Sequence, residues 1–346
     1  MAKNLDRRAL LKLPLLAAGA PAVVEPGIAA QPLRPRVDVP ALLRFGVIGD
    51  SGSGQPGQHR VAAQMNRLHR SRPQAPWDFV LTLGDNIYED GEPRYFESRF
   101  IDVYRELLDD GVPFHSTLGN HDVRHNGGAE QVREEAFGYI GAQDEYEFSA
   151  GPKLEDGKQL VRFICLNSTR WVEAIEKHED KAVERLLGSL RERLSGSGGY
   201  RWNIVYLHHA IHSYIEFSWF GLFPRGHGPN PHLQRVLEPE IIEHVDVVLA
   251  GHEHFYQKIR PINGVHHIIS GSAGKQRSGV RGDHPDVEGA SPDYHFMDLG
   301  LTEDTLNFQA INDSGLLIHS GEIRNRQARP IERIANLADH SAAISG

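Results

Sequence analysis

Five short apolar runs in this chain each end on residues able to bind a metal. Arg44–Gly49 runs into Asp50, Phe79–Leu83 into Gly84-Asp85, and Pro113–Leu118 into Gly119-Asn120-His121. Asn203–Leu207 runs into His208-His209, and Val245–Ala250 into Gly251-His252. Continuous apolar runs of this length read as strands buried on both faces, which requires helices to cover the sheet. The intervening segments supply them. Gln58–Arg70 sets Val61, Met65 and Leu68 at helical spacing, and Tyr95–Leu108 does the same with Phe96, Phe100, Val103 and Leu107. Leu160–Leu166 reads as a further buried strand, followed by a charged helix over about Glu173–Leu194. The alternation predicts an α/β fold. In such sheets the ligand crevice lies at the carboxyl ends of the strands, so these five strands deliver their polar residues to one place.

Beyond His254 the rhythm changes to alternating strands with hairpin turns at Pro261-Ile262-Asn263-Gly264 and Ile311-Asn312-Asp313-Ser314-Gly315. Residues 42–323 are expected to form one domain, preceded by a proline-containing linker over 31–41 and followed by a polar tail over 324–346. At the start, Arg7-Arg8 precede an apolar run from Leu13 to Val24, and Gly27, Ala29 and Ala30 follow. That layout predicts a cleaved export signal of the twin-arginine type over residues 1–30, and hence a periplasmic or extracellular protein. The run holds Pro14 and Pro21 and is shorter than the ~20 residues a spanning helix needs, so no membrane span is expected. A formal charge of −9 disfavours non-specific binding to duplex nucleic acid, and a single cysteine, Cys165, excludes a disulfide framework.

The polar blocks are Asp50-Ser51-Gly52, Gly84-Asp85-Asn86-Ile87-Tyr88, Gly119-Asn120-His121-Asp122, His208-His209 and Gly251-His252-Glu253-His254. Carboxylate, amide oxygen, imidazole and phenolate suit iron, manganese or zinc better than copper(I). They are too many for one ion. Two ions sharing a carboxylate, ~3.5–4 Å apart, would use them all.

These five blocks, in this order, resemble those of the calcineurin-like metallophosphoesterases, and specifically the purple acid phosphatases. The resemblance spans Asp50 to His254. Many relatives carry Asp-x-His in the first block, whereas here that position is Gly52; the purple acid phosphatases instead supply a tyrosine from the second block, and Tyr88 stands there. The resemblance implies a four-layer α/β/β/α sandwich with two mixed β-sheets. It implies a first metal held by Asp50, Asp85, Tyr88 and His254 and a second by Asp85, Asn120, His208 and His252, with Asp85 bridging. Iron(III) is expected at the Tyr88 site and iron, zinc or manganese at the other. The implied reaction is hydrolysis of phosphate monoesters by direct attack of a metal-bound hydroxide, with His121 as phosphate contact and general acid. A second non-ligand histidine is expected at His227, with His212 as competitor. His209 is the alternative to His208. The extra β domain that precedes the catalytic domain in plant-type relatives is expected to be absent. A phosphodiesterase or nucleotidase of the same fold, or a non-catalytic metal-binding protein, are the other readings. The expected partner is a small phosphorylated substrate, and no partner protein is indicated.

Several features compete with this reading. Gly52-Ser53-Gly54-Gln55-Pro56-Gly57 matches a dinucleotide glycine pattern, but the acid needed at the end of the second strand is already used as Asp85. Cys165 and Arg170 have four residues between them, one short of a cysteine-phosphatase loop, and Cys165 lies in an apolar run. Asp122 either orients His121 or solvates a loop. The aromatic insertion Tyr214–Phe223 either shapes the substrate pocket or packs as a flap. His115, His125, His266 and His267 are not assigned to the site.

Overall fold

The computed structural model describes residues 31–32, 41–218 and 223–327. The expected export signal, residues 33–40 of the linker, Trp219 and Phe220 of the aromatic insertion and the tail beyond 327 lie outside the described residues. Two seven-stranded sheets make up the body. The first runs Gln31–Pro32, Leu316–Arg324, Thr305–Asn312, His295–Leu301, Leu43–Ile48, Phe79–Thr82, Phe114–Ser116. The second runs Val287–Ser291, Tyr256–Ile262, Val265–Ser270, Val247–Ala250, Tyr200–Leu207, Gln159–Cys165, Tyr146–Lys153. Each is mixed. Leu43–Ile48, Phe79–Thr82 and Phe114–Ser116 are mutually parallel, as are Gln159–Cys165, Tyr200–Leu207, Val247–Ala250 and Val265–Ser270, while the remaining pairings are antiparallel.

The sheets stack face to face. Phe45 of one packs edge-on against Phe163 of the other with ring centroids 5.2 Å apart, and Phe79 meets Phe163 at 5.3 Å. Strand alternation then decides which side chains enter this interior. Along Tyr200–Leu207, Ile204 and Tyr206 face the other sheet, while Val205 and Leu207 face a second core with Trp171, Leu187, Leu190, Leu233 and Leu237. That second core is roofed by helices Ser168–Glu176, Asp180–Ser195 and Pro231–Ile241. On the far side, Val61 and Met65 of helix Pro56–Arg70 and Val103 and Leu107 of helix Asp102–Asp109 cover the first sheet. The layers are therefore helix, sheet, sheet, helix, as the sequence leads one to expect.

Local differences have physical causes. The charged segment Glu173–Leu194 is two helices, not one. His178 takes a left-handed conformation (φ 54°), and Glu179 N–H reaches back to Ala174 O at 2.9 Å, the six-to-one bond of a Schellman stop. Tyr95–Leu108 is likewise divided, into a 3₁₀ turn at Pro93–Tyr95, a π-turn at Glu97–Ile101 and the α-helix Asp102–Asp109. Helix Pro231–Ile241 and strand Tyr146–Lys153 are additional elements. The helix starts on Asn230, whose side chain accepts from Leu233 N–H at 2.8 Å, with Pro231 in the first turn. Both hairpins form where the turn residues stand: Asn263 and Gly264 both have positive φ (50° and 81°), as a two-residue type I′ turn demands. Gln31–Pro32, at the start of the expected linker, pairs with Leu316 and Leu317 at the sheet edge.

Candidate metal centre

The carboxyl ends of the five strands, three in one sheet and two in the other, bring their polar residues together. Asp50, Asp85 and His252 each leave their strand in a left-handed backbone conformation, with φ of 53°, 52° and 69°. Such strain in non-glycine residues is sustained only where the surroundings over-determine it. Here the His252 N–H donates to Asp50 Oδ2 at 2.8 Å and the His121 N–H to Asp85 Oδ1 at 2.9 Å, so each turn locks its neighbour. The close approach also explains Gly251 and Gly119. A Cβ on the first would stand 2.7 Å from Asp50 Oδ2, and on the second 2.2 Å from Asp85 Oδ1.

Donor atoms from all five blocks gather in two groups. In the first, Tyr88 Oη lies 3.1 Å from Asp50 Oδ1 and 3.2 Å from His254 Nε2, which is 3.3 Å from the same carboxylate oxygen. In the second, His208 Nε2 lies 3.0 Å from Asn120 Oδ1, 3.1 Å from His252 Nδ1 and 3.5 Å from Asp85 Oδ1. Asp50, Asp85 and His208, all fully buried, offer ligand atoms that lie within 4.8 Å of one another and so join the groups. His208 Nδ1 is 2.8 Å from Leu83 O, which fixes the ring with Nε2 turned toward the other donors. The neighbouring His209 instead places Nδ1 3.0 Å from Ser168 Oγ, and Ser168 Oγ accepts from the N–H groups of both His208 and His209.

The electrostatics of this cluster fit a cation. Burial, reinforced by Asp85, drives Asp50 well above the usual carboxylate range despite His208. Burial opposes ionisation of Asp85 too, but His208, His121 and the His121 N–H hold it below its ordinary value. Burial and the two carboxylates push the Tyr88 phenol far up. Burial also disfavours a proton on two of the imidazoles, holding His252 well below its ordinary value and His254 at about 4. Neutral imidazole with carboxylate and phenolate is a metal's donor set.

The non-ligand histidines divide clearly. His121 lies at the rim, Nε2 4.0 Å from Asp85 Oδ2 and its ring 4.6 Å from that of Tyr88. His227 stands at the mouth of the site, exposed to solvent, with its ring stacked on that of His252 at a centroid distance of 4.1 Å. His212 turns away, with Nε2 3.6 Å from Glu238 and its ring 4.7 Å from His267. Asp122 does neither of the things expected of it. Its buried carboxylate accepts from the N–H groups of Asn86, Ile87 and Gly119 at 3.1, 2.9 and 2.8 Å, and from the Asn86 and Gln131 amides, tying the second block to the third. Burial and Asp85 raise it to about 7. Glu253 is the residue the sequence hides. Buried between two histidines, it accepts from Ser213 Oγ at 3.2 Å, from the His227 N–H at 3.0 Å and from the Gly228 N–H.

The family model for calcineurin-like phosphoesterases matches residues 43–256, which includes all five blocks. The chain belongs to this family. Among curated relatives, this metallophosphoesterase is 26% identical over 308 residues to purple acid phosphatase 7 of Arabidopsis thaliana, covering 83% of this chain and 87% of that protein. It is 26% identical over 267 residues to tartrate-resistant acid phosphatase type 5 of Rattus norvegicus, covering 72% and 78%. Solved structures with the same fold include GAP50, the anchor in the inner membrane complex of Plasmodium (TM-score 0.66, 21% identity, covering 83% of this chain and 90% of that one). Another is a dimetal phosphatase from Danio rerio (TM-score 0.56, 16% identity, 83% and 100%). The calcineurin-like chain is thus a purple-acid-phosphatase-like phosphoesterase whose fold implies bound metal ions. Among its described residues no helix is long and apolar enough to cross a membrane.

Proposed function

We propose that this protein hydrolyses phosphate monoesters at a binuclear centre, in the manner of an acid phosphatase. One observation carries the reading: the Asp50–Tyr88–His254 group and the Asn120–His208–His252 group, each with a mixed oxygen and nitrogen donor set, are joined at Asp85, whose carboxylate offers an atom within 4.8 Å of those of Asp50 and His208. Asp50, Asp85, Tyr88 and His254 would hold one cation, and Asp85, Asn120, His208 and His252 the other. Bound there, the pair supplies Lewis acidity toward the phosphoryl oxygens and an acidified water as nucleophile. Tyr88 makes the first site suited to iron(III), because a phenolate forced to ionise in a buried site wants a highly charged partner.

The chain's own side chains do the rest. His121, partly buried beside Asp85, is placed to contact a phosphoryl oxygen and give a proton to the departing alkoxide, a role worth about 10²–10⁴ in rate. His227 is placed to donate a hydrogen bond to a phosphoryl oxygen from the opposite wall. The twin-arginine layout at the start of the chain supports export to the periplasm or beyond.

The test is a substrate panel on metal-loaded protein. Turnover of a monoester such as p-nitrophenyl phosphate, well above that of the bis-ester, is the expected result. A preference for the diester replaces this reading with a phosphodiesterase, and loaded protein that turns over neither rejects an enzymatic role.

A further inference from the structure

Four residues past His208 the chain divides its side chains between two destinations. Ser213 Oγ donates to Glu253 Oε1 at 3.2 Å, beside the metal centre. His212 instead meets Glu238 of helix Pro231–Ile241 and His267 of strand Val265–Ser270. A loop, a helix and a strand thus bring two imidazoles and a carboxylate together, and the proposed binuclear centre uses none of them.

Their arrangement repeats that of ligands in the centre itself. The rings of His208 and His252 have centroids 4.9 Å apart at 75°, and those of His212 and His267 have centroids 4.7 Å apart at 73°. His208 Nε2 lies 3.5 Å from Asp85 Oδ1, and His212 Nε2 lies 3.6 Å from Glu238 Oε2. That last distance is long for a hydrogen bond. It matches the separation of about 3.3–3.6 Å between two donors bound at ~2.0–2.2 Å to one tetrahedral ion. His212 Nε2 is buried with no hydrogen-bond partner, and His267, only 4% exposed, has none for its ring among the described residues. Buried polar nitrogens left in this way call for a ligand. Glu238 is already oriented for one: Gln234 Nε2 donates to its Oε2 at 3.0 Å and Asn263 Nδ2 to its Oε1 at 3.2 Å. Burial lowers the pKa of His212 and takes that of His267 well below its ordinary value, so both rings offer lone pairs at neutral pH. Lys258, whose charge also acts on His267, is itself paired with Glu288 at 3.2 Å.

We propose that His212, Glu238 and His267 form a third metal site, for zinc, separate from the centre at Asp85. Two imidazoles and one carboxylate are a zinc donor set that leaves the fourth position to water. The side chains of His212 and Glu238 keep 11% and 20% of their exposure, which gives ion and water a way in. With three protein ligands and an open path, this ion is held less tightly than the two of the centre and leaves on desalting. It takes no part in bond cleavage. Its work is to tie the loop that follows His208 to the helix and the strand, and it does not depend on the phosphatase reading.

The test is a calorimetric titration of zinc chloride into the full chain, loaded at its metal centre and then desalted, with melting temperatures taken at rising zinc. Wild type is expected to take up one further zinc per chain and to melt at a temperature that climbs with zinc concentration. In Glu238→Gln and in His212→Gln the added zinc should bind at least about tenfold more weakly, since even the outer partners of a metal ligand are worth that much. The rise in melting temperature should shrink with it. The metal retained after desalting should match wild type in both variants, which shows that they are folded. No uptake beyond the centre in wild type, or uptake and melting that ignore both substitutions, overturns the third site. A chain that hydrolyses no phosphate ester but takes up this zinc through Glu238 and His212 keeps the site and overturns the phosphatase.

Discussion

The Glu253 carboxylate accepts a hydrogen bond from the backbone N–H of His227 at 3.0 Å, across 26 residues of sequence. Through it the loop carrying His227 is moored to the stretch that supplies His252 and His254, and the His227 ring is kept stacked on His252. Glu253 therefore acts as a positioning residue. Glu253→Ala leaves two backbone N–H groups without their acceptor and frees the loop. The expected result is a fall in kcat/KM of roughly 10-fold, because misplacing a substrate-orienting group costs rate without removing a ligand. Metal content should stay near the wild-type value. Loss of metal along with activity would show that Glu253 supports the ligands rather than His227.

Tyr88 offers a spectroscopic prediction. Its oxygen lies 3.1 Å from Asp50 Oδ1 and 3.2 Å from His254 Nε2. With iron(III) bound, the protein should show a visible phenolate-to-iron band. Tyr88→Phe should abolish it while the ring keeps its packing against His121 and Lys275. A colourless wild type that is fully loaded and active with two divalent ions would remove iron(III) from the account.

Stability should fall in acid for a reason remote from the metals. His295 is fully buried, with Nε2 3.0 Å from Ser270 Oγ and Nδ1 3.0 Å from Asp293 O, and burial lowers its pKa to about 4. In the unfolded chain it titrates near ~6.5. Between those values the unfolded chain takes up a proton that the folded one refuses, so stability rises with pH across that window. The contribution is complete above about pH 6.5 and is lost as the pH drops toward 4, amounting to about 3 kcal/mol. Urea midpoints at pH 7 and pH 4.5 should differ less in His295→Gln than in wild type. Equal differences would show that other groups carry the acid sensitivity.

The contact between the two sheets is concentrated on Phe163, fully buried against Phe45, Phe79 and Phe148 at centroid distances of 5.2, 5.3 and 5.0 Å. Phe163→Ala opens a cavity where both sheets contribute packing, and about 3–5 kcal/mol should be lost. Chemical unfolding measures it directly. A cost under about 1 kcal/mol would mean the interior closes over the gap.

The gathering of the ligand residues was legible because each follows an apolar run, and a strand end is a position that topology fixes. Asp50, Asp85, Asn120, His208 and His252 needed only the rule that carboxyl ends converge. Glu253 and Asp122 were not legible in this way. Their partners are backbone N–H groups of other loops, 26 and about 36 residues away, and no pattern of side chains records a backbone donor. The division of the charged helix turns on His178 adopting a conformation usual for glycine or asparagine, where periodicity alone runs straight on. Helix Pro231–Ile241 is missing from the sequence reading, although Asn230-Pro231 and the spacing of Leu233, Leu237 and Ile241 are signals that could have found it.

In the proposed centre Asp85 is shared by two cations, and elemental analysis of wild type beside Asp85→Asn measures this. The bridging position predicts two metal ions per chain in wild type and a fall to one or fewer in the variant. Full occupancy retained by Asp85→Asn, or a wild type that takes up a single ion under saturating conditions, would contradict it.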